Sequence, residues 1–256
     1  MTDKWRDLGP RLISAVVLLA VAIGAAWAGP FYFAILVCIA TGLMVWELAR
    51  MHEPRFQMLP EIMAAATTAV VFTTYPLFLG ILVQFAFLAT LVFVALLTIA
   101  VKRDMRLFAP YVFAILITGN LLAGMFMASP RHVFFLLIIV IVTDVAGYFA
   151  GKSIGGRKFW PRVSPKKTWS GVIAGWIASG CVGIIAVAMG HYGILFIGVA
   201  MLMSFASQLG DIAESALKRR AGVKDSSNLI PGHGGFLDRF DGVVGASMVL
   251  FLYMVL

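Results

Sequence analysis

The chain has 256 residues, of which 61% are apolar and only 12% charged, with a formal net charge of +8. Charged residues make up roughly 25% of an ordinary soluble domain, so this composition excludes the soluble, fibrous and disordered classes. Placement is more telling: no Asp, Glu, Lys or Arg occurs over 12–46, 62–101, 107–130 or 168–210, and about 20 apolar residues suffice to cross a bilayer. The sequence is that of a polytopic, all-α membrane protein, a bundle of transmembrane helices.

In chain order, turn residues divide the apolar runs. Gly29-Pro30 separates spans at about 12–28 and 31–49, and the stretch from Tyr75-Pro76 to Gly80 separates 62–78 from 80–101. A fifth span covers 108–128, and a sixth covers 132–151 and contains Asp144. Gly190-His191-Tyr192-Gly193 separates 171–189 from 193–214; the ninth, 243–256, is short unless Asp238 to Gly242 begin its helix. With the N-terminus in the cytoplasm, 19 of the 20 basic residues fall on the cytoplasmic side and only Arg131 on the other. The positive-inside rule predicts that bias, which points to nine helices, N-in and C-out, in a multi-pass arrangement. It also accounts for the net charge without a nucleic-acid partner.

Ala26-Trp27-Ala28 looks like a signal-peptide cleavage site. Removing the first span would invert the charge bias, however, so the segment is expected to be retained. Cys38 and Cys181 sit in apolar runs and read as small fillers. Residues 1–130 form an N-terminal transmembrane region of about five helices, with one buried acid, Glu47, near a cytoplasmic end. Residues 131–256 form the C-terminal, catalytic region, with two long cytoplasmic loops.

Ionisable groups inside spans are costly and mark function. Three qualify: Asp144, Asp211 and Glu214. Asp211, Ser215 and Lys218 stand at i, i+4 and i+7, on one helical face, and an acid, a hydroxyl and an amine there suit a cation bridging to phosphate. Glu214 is offset from that face. The loop that follows, from Arg219 to Gly242, holds Lys224 and Arg239 as countercharges, His233, and the turn glycines Gly232, Gly234 and Gly235, which permit close backbone approach. Asp238 and Asp241 are three apart, and Asp211 with either of them can meet the preference of Mg²⁺ for a few carboxylates plus phosphate. The other loop, 151–171, carries six basic residues and no acid; Lys166 and Lys167 offer a basic wall for a phosphate.

The segment from Ser215 to Asp241 resembles the signature of the bacterial phosphatidate cytidylyltransferases, the CDP-diacylglycerol synthases. It carries Ser215, Lys218-Arg219, Lys224-Asp225, Pro231, His233-Gly234-Gly235, Asp238-Arg239 and Asp241 at the family's spacing. Asp144 to Gly151, Asp-x-x-Gly-Tyr-x-x-Gly, and Ser164-Pro165-Lys166-Lys167-Thr168 add to the likeness, whereas Ser170 stands where the family has Glu. The resemblance implies a Mg²⁺-dependent enzyme that makes CDP-diacylglycerol and pyrophosphate from CTP and phosphatidate, in the bacterial cytoplasmic (inner) membrane, with its active site facing the cytoplasm. It further implies metal-binding roles for Asp211 and Asp238, a second, monovalent cation such as K⁺, and a homodimer. Two other readings use the same features: a CTP-dependent polyprenol or phytol kinase and, less well matched, a membrane transporter.

Overall fold

The computed structural model describes residues 8–52, 58–74, 108–232 and 234–256. They form eight α-helices and one short hairpin. In chain order these are α1 (Leu8–Ala28), α2 (Pro30–His52), α3 (Leu59–Thr74), α4 (Phe108–Ala128), α5 (Pro130–Ser153), β1 (Lys158–Trp160), β2 (Ser164–Thr168), α6 (Trp169–Ala188), α7 (Phe196–Arg220) and α8 (Leu237–Val255). Among the described residues α2, α4, α5, α6 and α7 are long and apolar enough to cross a membrane, so the chain is a helical membrane protein. The expected span at 80–101 lies outside the described residues, as does His233.

The helix boundaries follow local chemistry. Proline opens α2 at Pro30 and α5 at Pro130, positions where its missing N–H is no loss and its fixed φ suits a first turn. Thr168 caps α6, its hydroxyl accepting from Gly171 N at 3.3 Å. That helix ends on Gly190, at φ +73°, with His191 N donating to Ala186 O at 3.1 Å, a left-handed close that glycine adopts without strain. Hydroxyls inside the apolar helices donate back to their own backbone: Thr41 to Val37 O at 2.7 Å, Thr118 to Ala114 O at 2.8 Å and Thr143 to Ile139 O at 2.7 Å. This pattern satisfies a polar group where no water reaches.

The chain divides into two compact units, Met1–Ser129 with Arg220–Phe240, and Pro130–Arg219 with Asp241–Leu256. In the first, α2 packs against α1, α3 and α4, and its inner face (Val37, Val45, Leu48) is fully or nearly fully buried. Thr74 donates to Asn120 Oδ1 at 2.7 Å across α3 and α4. In the second, α5 packs against α6 at a glycine contact, where a Cβ on Gly171 would stand 2.6 Å from Gly147 O. The outward faces of α5 and α6 expose Phe134, Ile141, Phe149, Ile177 and Ile184. An apolar surface of that extent is matched to lipid tails rather than to water.

One feature departs from the sequence reading. The loop expected after Gly151 contains an antiparallel hairpin, with Lys158 opposite Thr168 and Trp160 opposite Ser164. The last helix begins at Leu237, the alternative that lengthens the ninth span, so Asp238 and Asp241 lie on its first turns.

Candidate active site

The second unit gathers most of the predicted acids. A Cβ on Gly210 would collide with Asp241 O, and one on Gly245 with Ala206 O. The missing side chains therefore let α7 and the start of α8 meet backbone to backbone, as small residues do between membrane helices. That approach brings Asp241 beside Asp211 and Glu214, with a carboxylate oxygen of each within 4.8 Å of the others.

Three carboxylates so close repel one another unless countercharge is supplied. Two lysines supply part of it. Lys167, on β2, reaches Asp211 Oδ2 at 2.6 Å and donates to Gln208 O at 3.2 Å. Lys218 pairs with Glu214 Oε2 at 2.6 Å, one turn along α7. Ser215 donates to Asp211 Oδ1 at 3.3 Å. Hard carboxylate oxygens on two helices are a donor set that suits a divalent cation, so the residues present fit a metal. Glu214, which its offset from the Asp211–Ser215–Lys218 face set aside, is fully buried and belongs to this cluster.

Beside the cluster, α5, β2, α6 and α7 enclose a cavity of about 340 Å³ whose lining includes Asp144, Lys152, Lys166, Lys167, Thr168 and Gln208. Gln208 donates to Val172 O at 3.3 Å, and its buried side-chain oxygen has no hydrogen-bond partner among the described residues. Arg219 is exposed at the end of α7. Ser170 ties the hairpin together: its hydroxyl donates to Gly155 O at 2.5 Å and lies 3.0 Å from Thr168 Oγ1. A carboxylate at this position has no hydrogen to give that carbonyl.

The first unit holds the remaining predicted residues that the structure describes. Lys224 and Arg239 line a cavity of about 500 Å³ together with Asp225, Asn228, Gly232 and Gly234. Gly232 and Gly234 have φ of +75° and +81°, and Ile230 N donates to Gly234 O at 2.9 Å. Basic side chains around a glycine-bent backbone make an anion site. Asp238 turns back on the loop, its Oδ2 accepting from Gly235 N at 2.7 Å and Ser226 N at 3.0 Å and lying 3.0 Å from Ser226 Oγ.

A profile of the Cytidylyltransferase family matches residues 9–256. The chain belongs to this family. It is 35% identical over 258 residues to a phosphatidate cytidylyltransferase of Brucella suis biovar 1 (strain 1330), covering 96% of this chain and 93% of that protein. A phosphatidate cytidylyltransferase of Staphylococcus aureus (strain COL) is 30% identical over 243 residues, 90% of this chain and 93% of the other. One from Bacillus subtilis (strain 168) is 41% identical over 128 residues, 49% and 47% of the two chains. The cytidylyltransferase resemblance seen in the sequence is thereby confirmed over most of the chain. Together with the apolar helices, family membership makes this a membrane-embedded nucleotidyltransferase.

Proposed function

We propose that the chain transfers the cytidylyl group of CTP to phosphatidate, giving CDP-diacylglycerol and pyrophosphate, at the cytoplasmic face of a bacterial inner membrane. The observation that carries this reading is the gathering of Asp211, Glu214 and Asp241 with Lys167 and Lys218 on adjoining elements, in a chain whose relatives bear that name over nearly their whole length. Such a cluster answers the needs of phosphoryl chemistry, which asks for positioning and charge neutralisation rather than a strong base.

Phosphatidate already carries an oxyanion. Its phosphate oxygen attacks the α-phosphorus of CTP in line; the new O–P bond forms as the bond to the β-phosphate oxygen breaks, and pyrophosphate leaves with that electron pair. Lys166 and Lys167 on β2, and Lys218 and Arg219 at the end of α7, hold and neutralise phosphate oxygens. Lys224, Arg239, His233 and the backbone at Gly234 and Gly235 do the same from the glycine-rich loop. Ser215 orients Asp211, and Asp144 and Asp241 complete the polar surround. Asp211 and Asp238 are the proposed Mg²⁺ ligands, with Glu214 and Asp241 close to Asp211; the ion supplies charge stabilisation to the triphosphate when bound. A monovalent cation such as K⁺, a homodimer, nine helices with N-in and C-out topology, and a division into an N-terminal scaffold and a C-terminal catalytic region complete the proposal.

Label transfer tests the reaction. With the purified protein, α-labelled CTP and phosphatidate should give labelled lipid, and γ-labelled CTP should give labelled pyrophosphate only. Diacylglycerol in place of phosphatidate should give nothing, because the nucleophilic oxyanion is gone. Transfer of the γ label to an alcohol lipid would identify a lipid kinase instead, and label in no lipid would leave only transport. For orientation, single cysteines near Lys158 and Lys224 in a cysteine-free background should resist an impermeant thiol reagent in intact cells, and one near Arg131 should react.

A further inference from the structure

Glu47, on α2, is fully buried, and its carboxylate faces four donors from a segment about 180 residues further on. Oε1 accepts from Ser227 Oγ at 2.5 Å and from Phe236 N at 2.8 Å. Oε2 accepts from Ser226 Oγ at 3.1 Å and from Leu237 N at 2.7 Å. A carboxylate has about four acceptor positions, so the loop fills it. Two of the donors are N–H groups at the start of α8, which have no partner within their own helix. Glu47 thus caps α8 from another helix, where its charge also meets the positive end of the helix dipole. Gly235 makes this possible: a Cβ there would collide with Ser226 Oγ and stand 2.8 Å from each Glu47 oxygen.

The same loop atoms hold Asp238. Ser226 Oγ lies within hydrogen-bonding distance of both carboxylates, 3.1 Å from Glu47 Oε2 and 3.0 Å from Asp238 Oδ2. Gly235, whose N–H goes to Asp238, directly precedes Phe236, whose N–H goes to Glu47. We propose that Glu47 is a positioning residue for the reaction: by seating Ser226, Ser227 and the Phe236-Leu237 backbone it aims Asp238 and sets the bend of the phosphate-binding loop. Glu47 touches neither substrate nor cation and acts through Ser226 and Gly235. The proposal rests on the reading of Asp238 as a cation ligand.

The decisive measurement is Mn²⁺ binding to the full-length, detergent-solubilised protein, followed by electron paramagnetic resonance without turnover, alongside the Mg²⁺ dependence of kcat and the KM for phosphatidate. Glu47→Gln turns one acceptor into a donor facing donors. It should weaken Mn²⁺ binding and raise the Mg²⁺ requirement by about 10- to 100-fold, the usual effect of removing a partner that orients a ligand. The KM for phosphatidate should stay near the wild-type value. Ser227→Ala removes one donor to Glu47 and leaves Asp238's own partners in place, so it should produce the same shift in smaller measure; it decides the matter if Glu47→Gln does not fold. Wild-type Mn²⁺ affinity in a folded Glu47→Gln, or in Ser227→Ala where Glu47→Gln does not fold, overturns the positioning role. Asp238→Asn is the control on the underlying reading. If it binds Mn²⁺ like the wild type, Asp238 is no ligand, and the proposal falls with that reading rather than on Glu47 itself.

Discussion

The two polar loops are built differently. The segment 154–168 folds on itself: β1 and β2 pair, Ser170 donates to Gly155 O, Thr168 caps the helix that follows, and Trp169 N donates to Arg157 O at 3.0 Å. Phe159 packs edge-on against Trp169 at 4.8 Å. Every one of these contacts spans fewer than twenty residues. The segment 221–236 has little of this. Its internal bonds include the bridge between Ile230 and Gly234 and Leu229 N donating to Ser227 Oγ, and the rest of its backbone is held by two carboxylates, Glu47 from α2 and Asp238 from α8. A loop stabilised by many local bonds loses little when one is removed. A loop hung on two carboxylates from elsewhere loses much of its form when either side chain is removed.

The two loops also present charge differently. Lys167 leaves the hairpin to meet Asp211, with both partners part-exposed, so the pair is screened by water and of modest stabilising value. The Glu47 carboxylate is fully buried, where an unmatched donor or charge is expensive. The first loop therefore supplies an adjustable cation, and the second a rigid frame.

Substitutions sharpen or break this contrast, from the largest effect downward. Asp211→Asn removes the carboxylate that the hairpin lysine reaches; turnover should fall by orders of magnitude while thermal unfolding in detergent stays close to that of the wild type. Wild-type turnover would remove Asp211 from the site. Glu47→Ala strips the acceptor from four donors and should cost about 3–5 kcal/mol of stability, the range for breaking a buried charged cluster. Faster proteolytic cleavage within 221–236 should accompany that loss, and an unchanged cleavage rate would show that the loop does not hang on Glu47. Gly235→Ala should cost about 1–3 kcal/mol as an overpacked site, read by the same unfolding and cleavage measurements. Ser170→Ala should cost only about 1 kcal/mol, the value of one hydrogen bond, with hairpin cleavage little changed; collapse of the hairpin in that variant would break the contrast between the loops.

Much of this was legible in the amino-acid order. Charge-free runs long enough to cross a bilayer can be satisfied only by helices, and the apolar helices of the described residues lie where the runs predict them. Asp211, Ser215 and Lys218 were readable as one face because helical period is a local property, and Ser215 does bond Asp211. The signature from Ser215 to Asp241 pointed to the right family because phosphate binding needs those residue types at fixed spacing along one stretch of chain.

What spacing along the chain cannot express is which distant group meets which. Only the tertiary structure joined Lys167 to Asp211, by folding the hairpin against α7, and Glu214 to Asp241, because α7 and α8 meet at glycines such as Gly210 and Gly245. In the sequence Glu47 is the one buried acid of residues 1–130, near a cytoplasmic end, and its partners lie about 180 residues away. A buried carboxylate must find donors somewhere. The sequence by itself placed a buried acid at Glu47, near a helix end, and the fold alone decided that its partners are the loop and the helix start that carry Asp238.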